Sequence, residues 1–313
     1  MLCVVQTQAQ WDAAFSQFWT AKTYYNPSFA GETDKIQVSG LYKYEWAGVE
    51  NAPNRFFVGA DMPFEFFNRR HAVGIVTHSH AIGNERNNVF GAQYAFKQKL
   101  GKGMFSIGIQ AGMHELNFDA VSLRLVADST KANQSTVKFN PTDKKVFDVN
   151  AGISWTSKNF FAGVGAMHLN QPAFYAAGDS TLSGAVRSDS AMMHIPRSYN
   201  FMAGCNIRAF HPLLEIQTML FAQTFDFSYT DVQAALRMVY NKKYSAGASW
   251  RKTGYSFFAG AVIEDVEVGY AYDLYTSGIG KESGGSHEVS IRYRFPIDLF
   301  QKKPMPHKSI RLL

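Results

Sequence analysis

The sequence predicts an all-β fold, a transmembrane antiparallel up-and-down β-barrel of about 14 strands. Three observations predict it. Apolar and polar residues alternate with period two over runs as long as a tilted membrane strand, roughly 9–11 residues. The long connections between these runs all share one parity. Aromatic residues make up 15% of the chain, with 26 Phe, 15 Tyr and 25 Gly, which suits long antiparallel strands with interface girdles.

The alternation is explicit in five places. In 266–274, Val266, Val268, Tyr270, Tyr272 and Leu274 oppose Glu267, Gly269, Ala271 and Asp273. In 287–295, Val289, Ile291, Tyr293 and Phe295 oppose Glu288, Ser290, Arg292 and Arg294. In 147–155, Phe147, Val149, Ala151, Ile153 and Trp155 oppose Asp148, Asn150, Gly152 and Ser154. In 105–114, Phe105, Ile107, Ile109 and Met113 oppose Ser106, Gln110 and His114, and in 38–46, Tyr42, Tyr44 and Trp46 oppose Lys43 and Glu45. Soluble sandwich strands average only ~5–6 residues, so length favours the membrane barrel. Read this way, strands fall near 36–47, 55–63, 71–80, 86–98, 103–117, 145–156, 159–168, 197–208, 212–222, 227–240, 243–252, 255–263, 266–275 and 286–295.

Numbered in order, the even connections are short, as at Gly101-Lys102, Ser157-Lys158 and Asn241-Lys242. The long ones, 118–144, 169–196 and 276–285, are all odd. A barrel places odd and even connections on opposite rims, and outer-membrane barrels have short periplasmic turns and long external loops. Both chain ends are then expected on the periplasmic side. The expected division is 1–9 as the remnant of a signal peptide, 10–35 as an N-terminal periplasmic or plug segment, 36–295 as barrel, and 296–313 as a basic periplasmic tail.

Several classes are excluded. No run approaches the ~20 apolar residues of a membrane helix, and the mean hydropathy is −0.18. With Cys3 in the expected leader, Cys205 has no intramolecular partner. The net charge is +6, but no basic run interleaved with aromatics points to nucleic acid. No nucleophile elbow or glycine-rich phosphate loop occurs, so no enzyme activity and no cofactor are expected. His78 and His80 share one strand face, a possible metal pair, and His114-Glu115 also stands out. No third ligand is evident near the pair, and no metal site is assigned.

The polar face carries Lys43, Glu45, Lys97, Gln110, His114, Asp148, Asn150, Arg208, Glu267, Asp273, Glu288, Arg292 and Arg294. Pointing inward, this mixture reads as an ionic network bracing the wall, or as the lining of a selective channel. A lumen of this width is not filled by side chains alone, so it holds water or a plug. Trp11, Phe15, Phe18, Trp19, Tyr24, Tyr25 and Phe29 make the N-terminal segment too apolar for a free linker. It is expected to plug or cap the periplasmic mouth. Lys302, Lys303, Lys308 and Arg311 form a basic tail, either solvated or partner-binding.

Three pieces, in order, resemble a known family. Phe15-Ser16-Gln17-Phe18 with Tyr25-Asn26-Pro27-Ser28-Phe29-Ala30-Gly31 is similar to the opening signature of PorP/SprF proteins of the Bacteroidetes type IX secretion system. The stretch from Phe161 to Pro172 resembles the family's middle motif, with Gly165-Ala166 a mild departure. Gly269-Tyr270-Ala271-Tyr272-Asp273 followed by Ser286-His287-Glu288 resembles its ending. The resemblance implies an outer-membrane component of protein secretion and gliding. It implies work with periplasmic ring proteins, a peptidoglycan-binding lipoprotein and cargo bearing C-terminal secretion domains, with membrane lipid around the barrel. The rival readings are a fatty-acid-transporter-like barrel for a hydrophobic small molecule, which would need an apolar lumenal pocket, and a purely structural barrel.

Two expectations test the facing. The strand at 38–46 should pair with the strand at 286–295, and Tyr270→Arg or Ile291→Arg should cost far more than Ser290→Arg.

Overall fold

In lipid, every strand N–H and C=O must find a partner on a neighbouring strand, and only a closed sheet has no edge. The computed structural model, which describes residues 12, 14–83, 85–118, 145–175, 192–208 and 211–296, meets that demand with a closed barrel. Its first strands are β1 (Lys35–Tyr44), β2 (Asn54–Phe66), β3 (Arg69–Ile82), β4 (Glu85–Leu100), β5 (Gly103–Phe118), β6 (Lys145–Thr156) and β7 (Phe160–Met167). A short pair, β8 (Ala173–Tyr175) and β9 (Met192–His194), stands apart. The barrel resumes with β10 (Ser198–Ile207), β11 (Leu214–Phe225), β12 (Tyr229–Tyr240), β13 (Tyr244–Arg251), β14 (Gly254–Ile263), β15 (Val266–Tyr275) and β16 (Ser286–Pro296). Each expected strand is present, and all neighbours are antiparallel.

β1 closes on β16 as the alternation requires. Lys43 pairs with Glu288, Tyr42 with Val289, and Ser39 with Arg292, so polar faces polar and apolar faces apolar across the seam. Facing follows the period-two reading. Ser106, Gln110, His114, Asp148, Asn150 and Ser154 are buried, while Ile107, Ile109, Ile153, Val164, Phe257, Tyr270 and Ile291 are exposed on the outer surface. A soluble protein does not display so continuous an apolar band. Among the described residues no helix is long and apolar enough to cross a membrane.

The long odd connections 119–144 and 176–191 lie outside the described residues, as do 1–11 and the tail with Lys302, Lys303, Lys308 and Arg311. The described part of 169–196 holds β8 and β9. Phe174 of β8 and Ile195 just past β9 pack on Leu116 at the odd-rim end of β5, burying all three. Strands this short leave no periodic signal.

One expectation needs correction. Ser290 does face inward, but the interior there is full: Ser290 Oγ donates to Gln17 Oε1 at 2.9 Å. Ser290→Arg would displace that neighbour, so it is no mild control. Depth is the better contrast. Ile291→Arg, mid-strand and lipid-facing, is expected to cost roughly 2–4 kcal/mol, and Tyr244→Arg, at the even rim, about 0–1 kcal/mol. Denaturant unfolding from lipid vesicles reads both, and equal losses would contradict the assigned facing.

Candidate functional site

Residues 14–31 contain only short regular pieces, 3-10 turns at Phe18–Thr20 and Pro27–Phe29 and the helix α1 (Lys22–Tyr25). Such a segment leaves many backbone groups without internal partners, and buried ones must find them elsewhere. Here the barrel wall supplies them. Glu288 accepts from the Ser16 and Gln17 amides, both at 2.7 Å. The Ser16 carbonyl accepts from Gln233 at 2.9 Å, Trp19 from Arg292 at 3.0 Å, Thr23 from Gln93 at 2.7 Å, and Tyr25 from Asn200 at 2.7 Å. Ser28 O accepts from Lys97 at 3.3 Å, and the Gly31 amide donates to Asp61 at 2.7 Å. These partners come from β1, β2, β4, β6, β10–β13, β15 and β16 once Asp12, Phe15, Ser16 and Asn26 are included. The strands therefore enclose the segment.

All the motif residues, Phe15, Ser16, Gln17, Asn26, Pro27 and Gly31, are buried. Ser16 Oγ donates to Asp273 at 2.7 Å and accepts from Lys43 Nζ at 3.0 Å. Asn26 caps its own turn, accepting from the Ser28 amide at 2.9 Å, and donates to Ile153 O at 3.1 Å. Gly31 takes a φ of +62°, which L side chains rarely adopt. The wall is recessed to receive the Asn26–Ser28 turn. A Cβ at Gly108 would stand 2.2 Å from Ser28 N, and one at Gly152 would stand 2.2 Å from Asn26 Oδ1.

Part of the inner face is apolar. Phe57, Phe221 and Phe258 point inward and take up the segment's aromatics: Phe18 stacks on Phe221 at 5.3 Å between centroids, and Trp19 packs on Phe258 at 4.9 Å. Such pairs add about 0.5–1.5 kcal/mol beyond burial.

The expected lumenal charges gather into two clusters. Toward the odd rim, Lys43 Nζ lies 2.7 Å from Asp273, 3.8 Å from Glu45 and 4.0 Å from Glu288, and Arg55 joins Glu45 at 3.3 Å. Toward the even rim, Glu267 receives Arg237 at 2.7 Å and both Arg292 and Arg294 at 3.1 Å. There a cavity of about 400 Å³ is lined in part by Trp19, Lys22, Glu32, Arg237, Glu267 and Arg292. Arg208 lies outside both clusters, exposed beside Glu215. Arg55 and Arg237, missing from the expected network, sit at inward positions of the alternation in β2 and β12, so the signal for them exists.

A third cluster has no signal in the spacing. Asp12 lies at the odd-rim level, not at the even mouth where the segment was expected. Its carboxylate meets His168 Nε2 at 2.9 Å, Ser198 Oγ at 2.5 Å and Gln223 Nε2 at 3.1 Å. His168 Nδ1 lies 3.1 Å from Asp148 Oδ1, and His114 Nε2 lies 3.2 Å from Asp148 Oδ2. Burial alone would lower the His168 pKa, but Asp12 and Asp148 outweigh it and hold it up at about 10. Burial likewise opposes the charge on Asp12, and His168 overcomes it, keeping that carboxyl below its usual range. His78 and His80 are both buried on β3, with His78 against the ring of Tyr24.

The type IX secretion system membrane proteins PorP/SprF match this chain over residues 7–293. The chain belongs to the PorP/SprF family. It is thus an outer-membrane component of type IX secretion. No curated protein matches it. Among solved structures it is similar to Omp33 of Acinetobacter baumannii, at 10% identity and TM-score 0.45, covering 83% of this chain and 98% of that one. A deletion mutant of the TodX monoaromatic hydrocarbon channel follows at 12% and 0.48, covering 88% and 94%. The Escherichia coli outer membrane phospholipase A stands at 8% and 0.37, covering 87% and 99%. At these TM-scores none lends this PorP/SprF protein a substrate or an activity.

If the wall recess seats the family motif, Gly108→Ala and Gly152→Ala should each destabilise by about 1–3 kcal/mol through overpacking. Each should also make the segment cleavable by protease. Gly40→Ala, whose Cβ would meet the lipid-facing Ile291 Cγ2 at 3.2 Å and no part of the segment, should do neither. Identical behaviour of all three would count against the seat.

Proposed function

We propose that this PorP/SprF protein is a non-conducting, non-enzymatic docking barrel of type IX secretion, plugged by its own N-terminal segment. It connects periplasmic ring proteins and the peptidoglycan-binding lipoprotein at the even rim with cargo bearing C-terminal secretion domains at the odd rim. The observation that carries this reading is the enclosure of residues 14–31, whose backbone is hydrogen-bonded by wall side chains from most of the circumference. A segment so held stands across any through-path. The even-rim cavity with its arginine-rich lining offers a surface for a periplasmic partner. The basic tail Lys302, Lys303, Lys308 and Arg311 adds weak contacts that matter as a cluster.

A transporter of hydrophobic small molecules is the second reading, favoured by the inward-facing Phe57, Phe221 and Phe258. Against it, the segment's own aromatics already occupy that apolar surface.

Two measurements decide. In planar lipid bilayers the full chain should show no stable open state, whereas a chain lacking residues 12–31 should conduct; a stable open state of the full chain would overturn the plug. Deleting 301–313 should leave a folded, heat-modifiable barrel that co-purifies less with the periplasmic ring, while deleting loop 169–196 should spare that association and impair cargo handling. If tail deletion leaves both co-purification and secretion intact, the tail has no docking role.

A further inference from the structure

The third cluster carries a reading beyond secretion. His114 on β5, Asp148 on β6 and His168 just past β7 come together although their spacing in sequence gives no hint of it. All three are buried, and one donor atom from each lies within 4.8 Å of the others. Two separations, His168 Nδ1 to Asp148 Oδ1 at 3.1 Å and His114 Nε2 to Asp148 Oδ2 at 3.2 Å, resemble those of adjacent ligands in a tetrahedral shell. Bonds of ~2.0–2.1 Å give about 3.3 Å between such neighbours.

A further feature points to a ligand. A metal-bound histidine typically donates its other ring N–H to a carboxylate, which fixes its tautomer and orientation. His168 has that arrangement: with Nδ1 turned to the cluster, Nε2 meets Asp12 Oδ1 at 2.9 Å. On His114, Nε2 faces the cluster, while Nδ1 has no hydrogen-bond partner among the described residues. The site is buried and is not made of acidic groups alone.

We propose that His114 Nε2, His168 Nδ1 and the Asp148 carboxylate form a site for one divalent transition-metal ion of the Zn²⁺ class, with Asp12 orienting His168. Two imidazoles and one carboxylate suit such an ion better than Ca²⁺ or Mg²⁺, which prefer all-oxygen shells. Binding expels the proton from His168 Nδ1 and leaves a fourth position open. The ion ties β5, β6 and the β7 end together, and through Asp12 it reaches the N-terminal segment. The three ligands belong to the wall, so only the orienting role of Asp12 rests on the segment's place inside the barrel.

The test uses the full chain in detergent, stripped with EDTA and re-equilibrated with Zn²⁺, with Co²⁺ as the spectroscopic probe. One Zn²⁺ per chain should survive desalting, and Co²⁺ should give the intense visible d–d bands of a four-coordinate ion. His114→Gln and Asp148→Asn should each weaken binding at least tenfold, and Asp12→Asn roughly 10–100-fold as an orienting group. His80→Gln should bind as the parent does. Heat-modifiable migration checks folding, so that if Asp148→Asn fails to fold, His114→Gln still gives the answer. No retained Zn²⁺ in the parent chain, or undiminished binding in folded His114→Gln, would leave the cluster a hydrogen-bonded ion pair and overturn the site.

Discussion

A charge buried in a wall needs a partner, and in this barrel the partner comes from the chain's own N-terminal segment. Glu288 is fully buried, and the nearest cation, Lys43, stands 4.0 Å away while lying closer to Asp273. Two backbone amides, of Ser16 and Gln17, complete the Glu288 shell. The dependence runs both ways: the carbonyls of Thr23, Tyr25, Ser16 and Trp19 accept from Gln93, Asn200, Gln233 and Arg292 on the wall. Each buried polar group left unpaired would cost about 1–3 kcal/mol. Wall and segment therefore stabilise one another.

Barrel closure assembles part of this arrangement. Lys43 and Glu288 are register partners across the β1–β16 seam, and Asp273 stands on β15, the neighbour of β16. The residues that complete the odd-side charge cluster thus arrive from the two ends of the chain. Because the segment leads directly into β1, it is tethered at that seam. Its other end, at Asp12, reaches wall groups near β7, β10 and β11, well away from the seam.

Much of this was legible in the sequence, and the reason is periodicity. Strand existence, facing and the inward positions of Lys43, Glu45, Glu267, Asp273, Glu288, Arg292 and Arg294 all follow from an alternation that is local. The burial of the segment followed from its density of aromatics. What was hidden is combinatorial. Nothing in the spacing of Asp12, His114, Asp148 and His168 says that a loop, two strands and the N-terminal segment converge. The inward turn of Phe57, Phe221 and Phe258 breaks the polar-in rule because their partner is the segment's aromatics rather than water. The filled space beside Ser290 was invisible for the same reason, since facing says nothing about what stands opposite.

Hydrogen exchange tests the central claim most directly. In detergent-solubilised full chain, backbone amides over residues 14–31 should exchange as slowly as those of β15 and β16, with Ser16 and Gln17 among the most protected, because the wall closes over them. Exchange of this segment within seconds, beside protected strands, would contradict the account and return residues 14–31 to the status of a free linker.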